Sequence, residues 1–165
     1  PKRRRSSPRL KRCDMSRFGK GVGMQVFESY SEEDTFHFGE TMGTEASPGT
    51  VITLRGNLGV GKTVFTKGFA VGLGITEIVN SPTFTILQIH EGGRLPLYHF
   101  DVYRIGDVSE MDDIGFEDYV YGDGVSLIEW AELIQEILPE TRISVEIEKD
   151  LEKGEDYRRI TVRKF

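Results

Sequence analysis

The chain of 165 residues is poor in cysteine, proline and tryptophan, and it contains no long apolar run. Its one cysteine, Cys13, excludes a disulfide framework and a cysteine-based metal site. No segment approaches the ~20 consecutive apolar residues that span a bilayer. The basic N-terminus is not followed by the apolar stretch of a signal peptide. We therefore expect a cytoplasmic protein that does not contact a membrane.

Positive charge is scarce outside the N-terminal segment. Residues 1–23 hold nine of the 21 Lys and Arg side chains and one acid, Asp14, which leaves 12 basic and 26 acidic groups for the rest of the chain. An acidic body is a poor surface for nucleic acid, because neutralising phosphates requires clustered Lys and Arg. We predict a basic, disordered extension at 1–23, with RNA contact as the alternative role, and a single domain at 24–165.

A glycine-rich segment follows the apolar residues 51–54. Its sequence, GNLGVGKT at 56–63, has the G-x-x-x-x-G-K-T pattern of a phosphate-binding loop. In such a loop the backbone N–H groups surround a polyphosphate, the lysine reaches its terminal phosphates and the threonine hydroxyl ligates Mg²⁺. The predicted ligand is therefore ATP or GTP with Mg²⁺. The residues predicted to bind it are Gly59, Val60, Gly61, Lys62, Thr63 and Val64.

Apolar periodicity and turn residues divide the chain into alternating strands and helices. The predicted strands are 25–28, 50–55, 84–90, 97–103, 125–128, 142–148 and 158–163. The predicted helices are about 31–46, 62–73 and 131–138, with an irregular helical segment at 109–119. This order predicts a three-layer α/β, P-loop NTPase-like fold. Its mixed sheet is expected to be mainly parallel near the nucleotide, with an antiparallel extension.

Two acidic residues end predicted strands and are candidates for the carboxylate that a phosphate loop needs near Mg²⁺. Glu129 follows the apolar run 125–128, and Asp101 follows His99 and Phe100. Ligands of open α/β sheets bind at the carboxyl ends of strands, and burying a carboxylate is costly unless it has a partner. The alternative interpretation is a helix N-cap or an ion pair, such as Asp101 with Arg104.

Three further residues lie near these strand ends. Thr83 follows Ser81 and Pro82 in a connector, where its hydroxyl either orients water or Mg²⁺ or belongs to an ordinary turn. Trp130, next to the acidic strand end, either lines the nucleotide pocket or packs in the core. His99 has neither a nucleophile nor metal-spaced partners in the sequence, and we interpret it as structural.

Four segments share an order and spacing with a known family. They are 54–63 (LRGNLGVGKT), 81–85 (SPTFT), 99–104 (HFDVYR) and 127–130 (LIEW). Together they resemble the TsaE (YjeE) family of bacterial tRNA-modification ATPases, over roughly residues 31–161. The resemblance implies a cytosolic Mg²⁺·ATP-hydrolysing protein needed to make N6-threonylcarbamoyladenosine (t6A) beside the anticodon. It also implies action on a complex of the transferase TsaD with TsaB, through which contact with tRNA is indirect.

The resemblance also implies roles for individual residues. Thr63 and Glu129 would hold Mg²⁺, while Lys62, Asp101 and Thr83 would support hydrolysis. We expect in-line attack of water on the γ-phosphate, with the lysine and the loop N–H groups neutralising the developing charge. Because the sequence shows neither an arginine finger nor a strong base, intrinsic turnover should be low.

Two more positions are implied to contact the nucleotide. Glu32 lies at the start of the first helix and Arg158 on the last strand, where the adjacent Arg159 is the alternative. Asn57 occupies a loop position that is often acidic in the family, which should tune affinity rather than abolish binding.

Other functions of a phosphate loop are less well supported. A small GTPase would need an Asn-Lys-x-Asp segment to read guanine, and the sequence has none. A small-molecule kinase would need an arginine-bearing lid, for which Arg94 and Arg104 are too few and too scattered. A nucleotide-gated binding module, in which ATP mainly switches affinity for a partner, is compatible with the family resemblance.

Overall fold

The structure is a computed structural model that describes residues 23–82 and 84–165. The predicted N-terminal extension, apart from Gly23, lies outside the described residues, and so does Thr83. Among the residues described, no helix is long and apolar enough to cross a membrane.

The described residues form seven strands and five helices. The strands are β1 (Gly23–Ser29), β2 (Val51–Arg55), β3 (Leu87–His90), β4 (Leu97–Asp101), β5 (Val125–Glu129), β6 (Ile143–Lys149) and β7 (Arg158–Lys164). The helices are α1 (Glu32–Glu45), α2 (Lys62–Gly72), α3 (Glu110–Asp113), α4 (Phe116–Val120) and a 3₁₀ helix (Ala131–Ile137).

Within the described ranges the seven strands form one sheet in the order β1-β7-β6-β2-β5-β4-β3. Strands β6, β2, β5 and β4 pair in parallel. Strand β3 joins one side of this group antiparallel, and β7 with β1 extends the other side through antiparallel pairs. The prediction of an α/β fold with a parallel centre and antiparallel additions is therefore confirmed.

Helices cover both faces of this sheet and produce three layers. Successive residues of β2 point to opposite faces, so Ile52 packs with α1 and α2 while Val51 packs with α3, α4 and the 3₁₀ helix. The larger cluster, on the α1 and α2 face, includes Phe38, Phe65 and Phe69. Burial of these apolar side chains is the main stabilising term for both layers.

The structure differs from the predicted elements at three places. Strand β3 begins at Leu87 rather than Phe84, because Ile86 has a φ of +60°, which is incompatible with an extended strand. Strand β4 ends at Asp101 rather than Tyr103, where the aspartate side chain accepts a hydrogen bond from the Tyr103 N–H. The segment 109–119 divides into α3 and α4 at Gly115, whose φ is +74°.

Helices α1 and α2 approach each other through glycines spaced four residues apart, Gly39 and Gly43 on α1 and Gly68 and Gly72 on α2. A Cβ atom on any of the four would lie 2.0–2.2 Å from a backbone oxygen of the opposite helix. The absence of these side chains therefore allows the two backbones to touch. Thr35 of α1 is the residue nearest to the side-chain position of Gly61, where a built Cβ atom would lie 3.9 Å from Thr35 Cγ2.

Candidate functional site

The phosphate-binding loop connects the end of β2 at Arg55 to the start of α2 at Lys62. Its turn requires left-handed backbone at Gly59 and Gly61, with φ of +73° and +114°. Glycine adopts this conformation without the steric penalty that a Cβ atom imposes. The predicted strand-loop-helix arrangement is thus present, with the loop at the carboxyl end of an interior strand.

The N-terminus of α2 is not capped by a side chain of its own. Gly61 occupies the N-cap position and offers no side-chain hydrogen bond, and the first turn of α2 contains no acid. Helix α1 differs, because Ser31 caps it by accepting a hydrogen bond from the Asp34 N–H at 3.1 Å. An uncapped helix N-terminus presents N–H groups and a partial positive charge, which suit an anion such as phosphate.

Lys62 lies over the start of the loop. Its Nζ donates hydrogen bonds to the carbonyl oxygens of Gly56 and, at 3.5 Å, Asn57. It also lies 5.5 Å from the centroid of the Trp130 ring, within reach of a cation–π interaction. The loop thus binds the Lys62 ammonium group next to the N-terminus of α2, which also carries a partial positive charge.

The two candidate carboxylates lie side by side in the sheet. Register pairs Leu54 of β2 with Glu129 of β5, and Glu129 with Asp101 of β4. All three belong to one row on the α2 face, since Leu54 packs in the cluster of that face. Asp101 is 7 % exposed and Glu129 is 4 % exposed. Glu129 therefore lies at the carboxyl end of β5, the strand next to β2, and Asp101 lies at the carboxyl end of β4, one strand further from the loop.

Each carboxylate has its own hydrogen-bond donors. Asp101 Oδ1 accepts from the Tyr103 N–H at 3.1 Å, and Oδ2 accepts from Ser81 Oγ at 3.3 Å. Glu129 Oε1 lies 3.0 Å from His99 Nε2. Arg104, considered above as an ion-pair partner of Asp101, instead lies over the Phe84 ring, 4.7 Å from its centroid.

Trp130 immediately follows Glu129 in an unusual backbone conformation. Its φ of +61° is uncommon for a residue other than glycine. The half-buried indole packs on Tyr103 with ring centroids 4.7 Å apart, and the 3₁₀ helix begins at the next residue. The conformation turns the chain away from β5 and leaves the ring beside Lys62.

The possible metal ligands at this site suit Mg²⁺ better than a metal ion that is coordinated by protein side chains alone. Among residues 23–82 and 84–165, no group of three or more His, Cys, Asp or Glu side chains could hold a metal ion. Mg²⁺ usually binds through one or two carboxylates together with substrate phosphates and water. Thr63, exposed in the first turn of α2, and Glu129 supply a hydroxyl and a carboxylate of this kind.

Comparisons with known proteins agree with this geometry. Residues 29–160 match the protein family described as "Threonylcarbamoyl adenosine biosynthesis protein TsaE". The chain belongs to the TsaE family. It is 51 % identical over 135 residues to the tRNA threonylcarbamoyladenosine biosynthesis protein TsaE of Bacillus subtilis, covering 82 % of each chain. The TsaE of Treponema pallidum is 45 % identical over 119 residues, which cover 72 % of this chain and 87 % of that protein.

A solved structure has the same fold. The crystal structure of YdiB from Bacillus subtilis superposes with a TM-score of 0.75 at 42 % sequence identity, and the match covers 88 % of both chains. At this identity the likeness supports the family membership as well as the fold.

In this TsaE-family chain the two adjacent arginines of β7 have different surroundings. Arg158 Nε donates to the Val60 carbonyl of the loop at 2.6 Å, and its Nη1 donates to the Glu155 and Tyr157 carbonyls at 2.6 and 2.7 Å. Arg159 is exposed and lies in register between β1 and β6. Of the two, Arg158 is therefore the residue that contacts the loop.

Glu32, the other position implied by the resemblance, is the exposed first residue of α1.

Glu28, near the end of β1, is hydrogen-bonded to the segment that joins β6 to β7. Glu28 accepts hydrogen bonds from Lys153 Nζ at 2.9 Å, Tyr157 Oη at 2.8 Å and Tyr30 Oη at 3.2 Å. These donors, Lys153 foremost, lower the pKa of the Glu28 carboxyl to about 2.

A cleft of about 340 Å³ lies beside the loop, lined by Arg55, Gly56, Trp130 and acidic residues of β6. Arg55 and Glu146 are partners in register, on the sheet face opposite the row of Leu54 and Glu129. Neither Glu129 nor Asp101 lines the cleft.

Sequence reasoning missed two features of the site. The contact of His99 with Glu129 depends on how β4 registers against β5, for which the sequence gives no direct signal. The close approach of α1 and α2 does have a signal in the sequence, because both helices contain two glycines four positions apart, at 39 and 43 and at 68 and 72.

Proposed function

We propose that this chain binds and hydrolyses Mg²⁺·ATP at the site formed by the loop 56–63 and the carboxylates of Glu129 and Asp101. The proposal rests chiefly on one observation: the uncapped N-terminus of α2 and both carboxylates belong to the same edge and the same face of the sheet. Phosphate-transferring sites of this class combine a loop, a lysine, a hydroxyl and an acid in this way.

Each residue has a defined task in the proposed reaction. Loop N–H groups from Gly59 to Thr63 bind the phosphates, and Lys62 leaves the Gly56 and Asn57 carbonyls to neutralise the terminal phosphate. Thr63 and Glu129 would hold Mg²⁺, which would neutralise negative charge that develops during the reaction. Asp101, fixed by its two donors, orients the attacking water. Thr83, two residues after Ser81 in the same connector, is a further candidate for orienting the water or Mg²⁺.

The neighbouring arginines suggest that the isolated chain hydrolyses ATP slowly. Arg158 is engaged with three backbone carbonyls, and Arg104 is stacked on Phe84. An arginine that stabilises the transferred phosphoryl group can accelerate phosphoryl transfer by about 10³–10⁵-fold. We infer that such a group comes from a partner.

The curated relatives are named for tRNA threonylcarbamoyladenosine biosynthesis. We propose the same pathway for this chain, in which it acts on a TsaB–TsaD transferase complex in the cytoplasm and contacts tRNA only through that complex. The alternative, a nucleotide-gated binding module, differs in that ATP binding alone would change partner affinity while phosphate release would be negligible.

The test is phosphate release from Mg²⁺·ATP and Mg²⁺·GTP, with and without the two transferase subunits. We expect ATP-selective release that rises when the subunits are added. Lys62→Ala or Glu129→Gln should reduce release by about 100-fold or more, as loss of a group that stabilises transition-state charge does. Lys67→Ala on the exposed side of α2 and Glu136→Gln on the 3₁₀ helix are the matched controls. Equal activity of site and control variants would refute the assignment.

A further inference from the structure

His99 is buried next to the proposed magnesium ligand. Its side chain is 1 % exposed, that of Glu129 is 6 % exposed, and the atoms Nε2 and Oε1 are 3.0 Å apart. The two residues lie on neighbouring strands, His99 on β4 and Glu129 on β5, and both face the α2 layer. This contact joins two interior strands at the point where the site begins.

The surroundings of the imidazole assign its tautomer. Among the described residues, Nδ1 of His99 is buried without a hydrogen-bond partner. A proton on Nδ1 would bury an unsatisfied N–H group, which is costly, whereas a proton on Nε2 is satisfied by the Glu129 carboxylate. The donor is therefore assigned to Nε2, whose N–H group donates to Glu129.

The hydrogen bond also explains how two buried acids are tolerated as neighbours. Glu129 and Asp101 are direct partners in the pairing of β4 with β5, where like charges repel. Asp101 is held by Ser81 and the Tyr103 N–H, whereas Glu129 is held by His99. Because the donors come from different segments, each carboxylate has its own fixed orientation.

We propose that His99 is a positioning residue for the metal site: its Nε2–H holds Oε1 of Glu129 and leaves Oε2 to ligate Mg²⁺. This inference rests on the proposed function, because it presumes that Glu129 is a magnesium ligand. Hydrogen bonds to metal-ligating carboxylates fix their orientation, and loss of such a partner typically costs about 10–100-fold in metal affinity. The structural role that the sequence indicated for His99 is the alternative, in which the hydrogen bond serves packing and stability alone.

Two conservative substitutions separate positioning from core packing. In His99→Gln the amide nitrogen can reach the place of Nε2, whereas in His99→Asn it lies near the place of Nδ1, too far from Glu129. Both variants keep a polar amide in the core. The probe is Mn²⁺, a paramagnetic substitute for Mg²⁺, titrated in the presence of ADP and followed by electron paramagnetic resonance. Thermal unfolding of each variant and ADP binding in the presence of EDTA are measured alongside.

We expect H99N to weaken Mn²⁺ binding by about 10–100-fold and H99Q to remain within roughly threefold of the wild type. ADP binding without metal should be the same in all three proteins. Equal Mn²⁺ affinity in folded H99N and wild type, or an equal loss in H99N and H99Q, would overturn the inference alone. A wild-type chain that binds neither ADP nor Mn²⁺ with ADP would instead overturn the proposed function and the inference with it.

A measurement on the wild-type protein covers the case in which H99N does not fold. Long-range ¹H–¹⁵N NMR correlations distinguish the two neutral tautomers of a histidine ring. We expect the His99 proton on Nε2. A proton on Nδ1 would remove the donor on which the inference depends and would refute it whatever the variants do.

Discussion

Replacing Gly68 by alanine should destabilise the protein, although alanine is the better helix former by about 1 kcal/mol. A Cβ atom at this position would lie 2.0 Å from the Phe36 carbonyl oxygen and 2.8 Å from its carbonyl carbon. Ordinary non-bonded contacts begin at about 3.5 Å, so α1 and α2 would have to separate by more than about 1 Å. Both clashing atoms are backbone and cannot rotate away.

Overpacking of this kind costs about 1–3 kcal/mol or more. After the helix-propensity gain we expect a net loss of about 2 kcal/mol in Gly68→Ala, or a fall of about 4–8 °C in Tm for a chain of this size. Nucleotide binding should weaken as well, because α2 begins at Lys62 directly after the loop and would move with the displaced helix pair. Urea unfolding and ADP titration measure the two effects.

The control is Gly23→Ala, where a Cβ atom would meet nothing within 4 Å. Its unfolding free energy should change by less than about 0.5 kcal/mol. A G68A protein as stable as the wild type, or more stable, would show that helix propensity outweighs the backbone contact and would refute the reasoning.

Three other outcomes follow from the geometry. Arg158→Ala should weaken ADP binding by about tenfold, because the loop would lose the hydrogen bond to its Val60 carbonyl and with it part of the about 1.5–3 kcal/mol that a charged donor contributes. Arg159→Ala should stay within about twofold, and equal effects would contradict the contact with the loop. The Glu28 carboxyl has a pKa of about 2 in the folded state against about 4.3 in the unfolded chain. Its ionised form therefore stabilises the fold above pH ~4.3, and this stabilisation is lost as the pH falls towards 2. Urea unfolding at pH 6 and pH 3 should show a smaller advantage of the wild type over Glu28→Gln at the lower pH. Because the only tryptophan, Trp130, lies 5.5 Å from Lys62 Nζ, ADP binding should change its fluorescence in the wild type, and Lys62→Met should reduce that response.

Local sequence patterns predicted most of the fold. Glycine spacing, capping residues and apolar periodicity were enough to locate the elements that depend on neighbours in sequence. These are the loop 56–63, helices α1 and α2, and strands β6 and β7, in which apolar and polar residues alternate. The early end of β4 and the late start of β3 were not predictable, because a hydrogen bond to Asp101 and the left-handed backbone of Ile86 decide them.

The positions of the two candidate carboxylates at strand ends were predictable, whereas the contacts that they make were not. Apolar runs ending in an acid identified Glu129 and Asp101, since burial of a carboxylate needs a reason. The pairing of His99 with Glu129, and the contact of Arg158 with Val60 across the fold, arise only from strand order and register. Strand order and register depend on residues far apart in the chain, and they could not be predicted from a single sequence.

The position of β7 has a consequence for how the protein is made. A ribosome synthesises β7 after the other strands of the sheet, yet β7 lies between β1 and β6 and begins with Arg158. Strand β1 therefore has no place in the sheet until β7 emerges, and the phosphate loop has no arginine against its Val60 carbonyl until the same moment. A nascent chain arrested before β7 should carry the whole loop sequence and still be easily digested by protease. Completion of the sheet would then mark the moment at which translation has passed β7.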